Sequence, residues 1–500
     1  MLINTRFYLL TKSIVAMDLY KIISQLTDEE FDEIYTTFTA NKADKSAAFL
    51  KIIRGNPETP DKEFLSKFDI SPSAFYVLKS RLNQKIETFL LNRVGDSNLH
   101  AMHRILNVND LVFNNPREIS VAALRKLEKE LVKFDFPYGL MIVYKELQNL
   151  HAFDENHTLF KSRYNQQVAY AVAMDKAVDL VVQFFRSFDA FYLGRKDKDH
   201  RDMILTMEKI DNLNNLYESH RLYMFKAIVH IFAKLFIEIP ETIRCEVEDL
   251  DVMFDRAFEI LGEYKDDSFY LNINILFNFL RFIYYDEKGV RDKSKIYFEI
   301  LDFKIEELLT RYHFNANTSL FLFRKLRYHV RNNTIEQLVK DADNYISNIE
   351  MEPYRLTFFV NFHLFLAYTH FAERNFKKTA RLLYSVRNEV NLRKFVHMDL
   401  EIKFFLALTY VMLEDFDLAN QLILSLQRQL RKTSMAKYEH AKILLKVLSV
   451  ALGGKPRTRA KNLRQNIEKW KEVNVGRYAL IGEIDMETLF LKEEPSPINA

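Results

Sequence analysis

Two stretches of this chain, LAYTHFAERNFKKTARLLYSV (residues 366–386) and LALTYVMLEDFDLANQLILSL (residues 406–426), follow one pattern at an offset of 40 residues. The offset aligns Leu366 with Leu406, Ala367 with Ala407, His370 with Tyr410, Asn375 with Asp415, Phe376 with Phe416, Thr379 with Ala419 and Leu383 with Ile423. Ala367 and Ala407 are small residues at mid-helix, where a partner helix approaches closely, and Thr379 and Ala419 are their counterparts on the second helix. Asn375 and Asp415 are placed to accept the unpaired N–H groups that open that second helix. Phe376 and Phe416 are expected to plug the corner. The pattern describes a helical hairpin, written twice.

This pattern resembles the tetratricopeptide repeat: a large apolar residue followed by a small one, an aromatic three further on, an aromatic after the turn, then a small residue. The resemblance covers residues 356–430 well and the helices before them faintly. Here the period is 40 rather than about 34, and Arg374 and Glu414 replace the glycine usual before the turn. A third copy around HVRNNTIEQLVKDADNYI is marked mainly by its Asn-bearing turn. A single hairpin cannot bury both apolar faces, so hairpins must stack. The expected fold is all-α: a tetratricopeptide-like α-α superhelix over residues 96–485, preceded by a small helical module over 17–95. Residues 1–16 are expected to be a leader, structured or not, and 486–500 a disordered tail.

Composition agrees with long helices. The 500 residues are 48% hydrophobic and include 42 Phe and 25 Tyr, but only 10 Gly and 10 Pro, too few turn formers for a sheet-rich fold. A formal net charge of +3 creates no global field toward nucleic acid or membrane. The single cysteine, Cys245, excludes an internal disulfide and suits a reducing compartment, so the expected location is cytoplasmic. No apolar run reaches the roughly 20 residues that cross a bilayer, and Lys12 interrupts the apolar N-terminal stretch that would otherwise suggest a signal peptide.

Helical periodicity predicts a helix opened by Ser71 and Pro72, with Phe75, Leu78, Leu82, Ile86 and Phe89 on one stripe. Further helices are expected over 121–134, 160–191 (with a break), 200–236, 250–264, 271–285, 296–312, 319–330 and 335–349.

If the repeat resemblance carries over, the first helix of each hairpin lines a concave surface. It would place Asn361, Leu364, Tyr368 and Phe371 there in one copy, and Glu401, Phe404, Leu408 and Val411 in the next. Asn361, Tyr368, Phe371, Glu401, Phe404 and Leu408 are therefore the candidate peptide-binding residues. The set of Lys, Arg and Asn that clamps a peptide carboxylate is not assembled, Asn361 being the one such residue in the lining, so this surface suits an amphipathic helix or apolar peptide, or else is covered by the chain's own helices. The segment EFLSKFDISPSAFYVLKSRLNQKI also has the outline of a helix-turn-helix, with Ser73, Tyr76, Lys79 and Asn83 off the apolar stripe as candidate DNA contacts. Asp61, Glu63 and Asp69 work against phosphate there. The basic stretch between Arg428 and Lys471 reads as the solvated face of terminal helices, with Trp470 closing the last core layer.

No catalytic constellation emerges. GGKPR lacks the glycine spacing of a phosphate loop and has Pro456 where a magnesium-binding hydroxyl belongs; His100 and His103 lack a third metal ligand; Cys245 lies among acids. The sequence thus points to a non-enzymatic scaffold that binds a protein or peptide, without metal or cofactor. The alternative is a transcriptional regulator with an N-terminal DNA-binding module and a repeat sensor.

Overall fold

A computed structural model describes residues 19, 22–23, 26, 28–40, 43–56, 59–93, 99–238, 248–265, 267–349, 355–432, 435–453 and 456–491; the proposed leader, Cys245 and residues 492–500 lie outside that set. Among the described residues all regular structure is helical, with 24 α-helices and three short 3₁₀ turns. None of these helices is long and apolar enough to cross a membrane. The chain divides into two compact units, residues 1–100 and 101–500.

The first unit contains α1 (Asp28–Ala40), α2 (Asp44–Gly55), α3 (Asp61–Phe68) and α4 (Pro72–Arg93). Its centre is aromatic: Phe49 lies 4.6 Å from Phe64 and 5.7 Å from Phe75, ring centre to ring centre. Leu82 and Ile86 of the predicted stripe are fully buried beside them. Pro72 opens α4, and the Ser71 hydroxyl accepts the Ala74 N–H at 3.3 Å, so the expected helix start is present.

The second unit begins with α5 (Leu99–Leu106), which spans the division, and continues through α6 (Val108–Asn114), α7 (Arg117–Lys133), α8 (Pro137–Leu150), α9 (Asn156–Gly194), α10 (Asp197–Leu216), α11 (His220–Phe236) and α12 (Leu250–Glu263). Then come α13 (Ser268–Glu287), α14 (Arg291–Phe303), α15 (Ile305–Thr310), α16 (Leu320–Arg331), α17 (Ile335–Asn348), α18 (Leu356–Ala372) and α19 (Phe376–Glu389). The unit closes with α20 (Val396–Met412), α21 (Phe416–Lys432), α22 (Glu439–Gly453), α23 (Pro456–Val473) and α24 (Met486–Leu491). Neighbours in sequence pack on one another, and the 39-residue α9 also packs against α20.

Five hairpins of this unit share one turn. A residue in the left-handed region ends the first helix, and the next N–H reaches back to the carbonyl five residues earlier. The left-handed residues are Asp135 (φ 51°), Gly289 (71°), Asn333 (55°), Arg374 (64°) and Glu414 (59°). The matching bonds run from Phe136 N–H to Leu131 O (3.0 Å), Val290 to Tyr285 (3.0 Å), Thr334 to His329 (3.0 Å), Asn375 to His370 (2.8 Å) and Asp415 to Tyr410 (3.0 Å). In each hairpin the second helix starts two residues after the left-handed one. The turn thus satisfies end-of-helix carbonyls and reverses the chain with almost no loop, which explains how so few glycines suffice.

Ala367, Ala407, Thr379 and Ala419 have no exposed surface, and the Thr379 hydroxyl donates to Ala367 O across the hairpin at 3.3 Å. Asn375 and Asp415 accept the N–H groups of Lys378 and Leu418, both at 3.2 Å. The corner differs between copies. Phe376 packs on Phe371 at 5.1 Å, but Phe416 is 49% exposed because Val411 occupies the place of Phe371 and offers no ring.

Several element boundaries differ from the expected ones. Helix α9 runs unbroken through residues 160–191. The expected helix over 200–236 is two, divided where the Ser219 hydroxyl accepts the Leu222 N–H and starts α11. The helix over 296–312 is divided at Lys304. Within the expected disordered tail, residues 486–491 are helical with Met486 buried, while Trp470 is buried as expected.

Candidate functional site

A buried polar region of the second unit forms where α9, α16, α18 and α20 meet the segment 474–485. Helix α20 carries Glu401, whose Oε1 accepts the Tyr368 hydroxyl of α18 at 2.6 Å and whose Oε2 accepts the Ile481 N–H at 2.7 Å. Arg327 of α16 grips Glu483 as a fork, Nε to Oε2 at 2.6 Å and Nη2 to Oε1 at 2.5 Å. The side chain of Asn474 holds both backbone groups of Leu480, donating to its carbonyl at 3.0 Å and accepting its N–H at 2.8 Å. Leu480 and Ile481 are completely buried. This folded segment, which includes a 3₁₀ turn at Gly476–Tyr478 and a turn from Ile481 to Ile484, is therefore tied to α20 by one main-chain bond and to α16 by one ion pair.

Beside it lies a half-open pocket of about 230 Å³ bordered by Tyr192, Arg195, Tyr368, His397, Glu401 and Glu483. Arg195, at the C-terminal end of α9, sets its guanidinium over the rings of Phe191 and Tyr192 at 5.4 and 5.3 Å. Burial pushes the Glu401 carboxyl up to about 7, against the opposing bonds from Tyr368 and Ile481. Burial raises the Tyr368 phenol and lowers the His397 imidazole, where nearby Arg195 adds to the effect. Burial disfavours the Arg327 charge, but the fork with Glu483 outweighs it and the pKa rises. Asp189, one turn before Tyr192 on α9, is also pushed by burial to about 7.

Arg327 also borders an open cleft of about 880 Å³ between α13, α14 and α16. Arg291, Lys295, Arg324 and Arg331 line it with Asp286 and Asp292, and Tyr328 stacks on Phe298 in its floor at 4.2 Å. Arg324 is engaged with Asp286 and Glu287, both at 2.9 Å, whereas Arg331 is exposed at the rim.

The six residues expected to line a peptide surface are largely buried. Asn361 donates to Asn317 Oδ1 and Ser319 Oγ at 3.2 and 3.0 Å, pinning the loop before α16. Phe371 packs on Phe376 and Phe405; Phe404 and Leu408 are enclosed in the core. Tyr368 stacks on Phe405 at 4.3 Å and, with Glu401, meets the segment 474–485. Arg327, Asn474 and Glu483 had no sequence signal, because their partners follow no helical spacing.

In the first unit Ser73 shares a hydrogen bond with Ser71 at 3.1 Å, and Tyr76 is 74% exposed. Lys79 pairs with Asp61 at 3.4 Å and Asn83 is half-buried. Among the described residues no three His, Cys, Asp or Glu side chains cluster in a metal-binding arrangement. Comparison with family models, curated proteins and solved structures finds no match to this chain.

Proposed function

We propose that the protein is a non-enzymatic interaction scaffold whose second unit is a tetratricopeptide-like superhelix, with the first helices of its hairpins presenting the receiving surface. The observation that carries this reading is the way α16 and α20 together hold a segment of chain that is neither helix nor strand over residues 479–485, through the Ile481 N–H on Glu401 and Glu483 on Arg327. A surface that grips one backbone in this way suits another of similar chemistry. The cleft bordered by Arg291, Lys295 and Arg331 continues that surface past Arg327 into solvent, and its excess of cations favours an acidic partner segment.

The test is affinity capture from native extract with the full chain and with a Lys295→Glu/Arg331→Glu variant. Both side chains are exposed, so the variant is expected to fold. Loss of specific partners supports the reading, and an unchanged partner set refutes it.

The regulator alternative rests on the face of α4 that carries Ser73, Tyr76, Lys79 and Asn83, with Arg81 and Lys85 exposed further round the helix. Asp61 neutralises Lys79 beside them, which weakens a phosphate contact. Gel-shift titration against mixed duplex DNA tests it: salt-sensitive binding lost in Arg81→Glu supports a regulator, and no shift removes it.

A further inference from the structure

We propose that residues 476–485 are an intramolecular occupant of a peptide site, displaceable by a partner segment with two adjacent aliphatic residues followed, after one small residue, by an acid. This inference rests on the scaffold reading and names the ligand of its inner surface.

Three observations lead there. The contacts to the segment are generic to a bound peptide: a main-chain N–H into a buried carboxylate, and an acid on an arginine fork. The pattern Leu480–Ile481–Gly482–Glu483 supplies them, so any chain that repeats it offers the same groups.

The second observation is conformational. Ile481 sits at φ 46°, in the left-handed region that a β-branched side chain avoids. The strained residue follows a short tether: Asn474, directly after α23, clamps Leu480 only six residues later. An untethered peptide can bring the same groups without that backbone. The strain weakens internal occupancy by roughly ten-fold.

The third is access. A half-open pocket of about 230 Å³ lies beside the segment, walled by Arg195 of α9, Tyr368 of α18 and Glu401 of α20, so the groups that meet the segment border solvent-accessible space. Against displacement stands the tether itself, which gives the segment an effective concentration on the order of millimolar. A single copy of the pattern thus competes poorly, and a partner that also engages the neighbouring basic cleft gains a second point of attachment.

The experiment uses the full chain and a fluorescein-labelled decapeptide, GRYALIGEID, copied from residues 476–485. Fluorescence anisotropy is read for wild type and for Glu483→Arg, which repels the internal segment from Arg327 while leaving Arg327 free for the peptide's acid. The expected result is binding at least ten-fold tighter to the variant than to wild type, abolished when the peptide's Glu is replaced by Arg. A folded variant that binds no tighter than wild type overturns the proposal.

If the variant does not fold, hydrogen exchange on the wild type decides. Amides of 478–485 are expected to open at least ten-fold faster than those of α20, and exchange of both at one common rate overturns displacement. The partner set of Lys295→Glu/Arg331→Glu is measured separately, so a fixed segment and a failed scaffold reading give different results.

Discussion

Gly289 and Gly262 form a matched pair for testing the shared turn. A Cβ added at either position meets no atom within 4 Å, so a methyl group there introduces no clash. Gly289 lies at φ 71° in the turn between α13 and α14, whereas Gly262 lies within α12 without a positive φ. At Gly289 the left-handed backbone costs an L-residue about 1–2 kcal/mol, partly offset by about 0.4–1 kcal/mol of reduced freedom in the unfolded chain. Gly289→Ala should therefore destabilise its hairpin by about 1 kcal/mol. At Gly262 only the second effect operates, so Gly262→Ala should stabilise by about 0.5–1 kcal/mol. Hydrogen exchange of the Val290 amide, bonded to Tyr285 O at 3.0 Å, reads the first change directly. Exchange should accelerate about five-fold in Gly289→Ala, and amides near the end of α12 should slow by a smaller factor in Gly262→Ala. Glu414→Gly, at φ 59°, should slow exchange of the Asp415 amide. The same sign of change in both alanine variants would refute the turn argument.

Two further outcomes follow from the packing and the buried acids. Ala407→Leu forces extra carbons into a fully enclosed hairpin contact and should cost about 1–3 kcal/mol, seen as a lower thermal midpoint, while Ala372→Leu, on the exposed end of α18, should stay within about 0.5 kcal/mol. Glu401 and Asp189, both raised to about 7, hold protons in the folded state that the unfolded chain has released. Their stabilising contribution is full below about pH 4 and is lost as pH rises through about 7, on the order of 3 kcal/mol each. The urea midpoint should be lower at pH 8 than at pH 5.5, and should fall less steeply in Glu401→Gln.

The hairpins at 356–432 were legible because their signals are local. A small residue, an Asn or Asp at the helix start and apolar spacing all act within a few turns of chain. Even there, the left-handed conformation of Arg374 and Glu414 was visible only as a missing glycine, since neither side chain favours it. The division at Ser219 was hidden because apolar periodicity continues on both sides of it.

The site was less legible, for a physical reason. Asn361 reads as a surface amide, yet it is buried, with its Nδ2 donating to Asn317 and Ser319, 44 and 42 residues earlier. Glu401 was placed on the receiving surface, but its partner Ile481 lies 80 residues away. A main-chain contact at that distance leaves no trace in side-chain pattern.

The segment 474–485 rests against α16, and the pair Arg327–Glu483, 156 residues apart in sequence, reports on that contact most directly. In a double-mutant cycle with Arg327→Ala and Glu483→Ala, followed by the opening free energy of residues 478–485, the two side chains should couple by about 1–2 kcal/mol, allowing for the partly exposed Arg327. Strict additivity of the two substitutions would mean that the side chains do not meet, and would contradict the account.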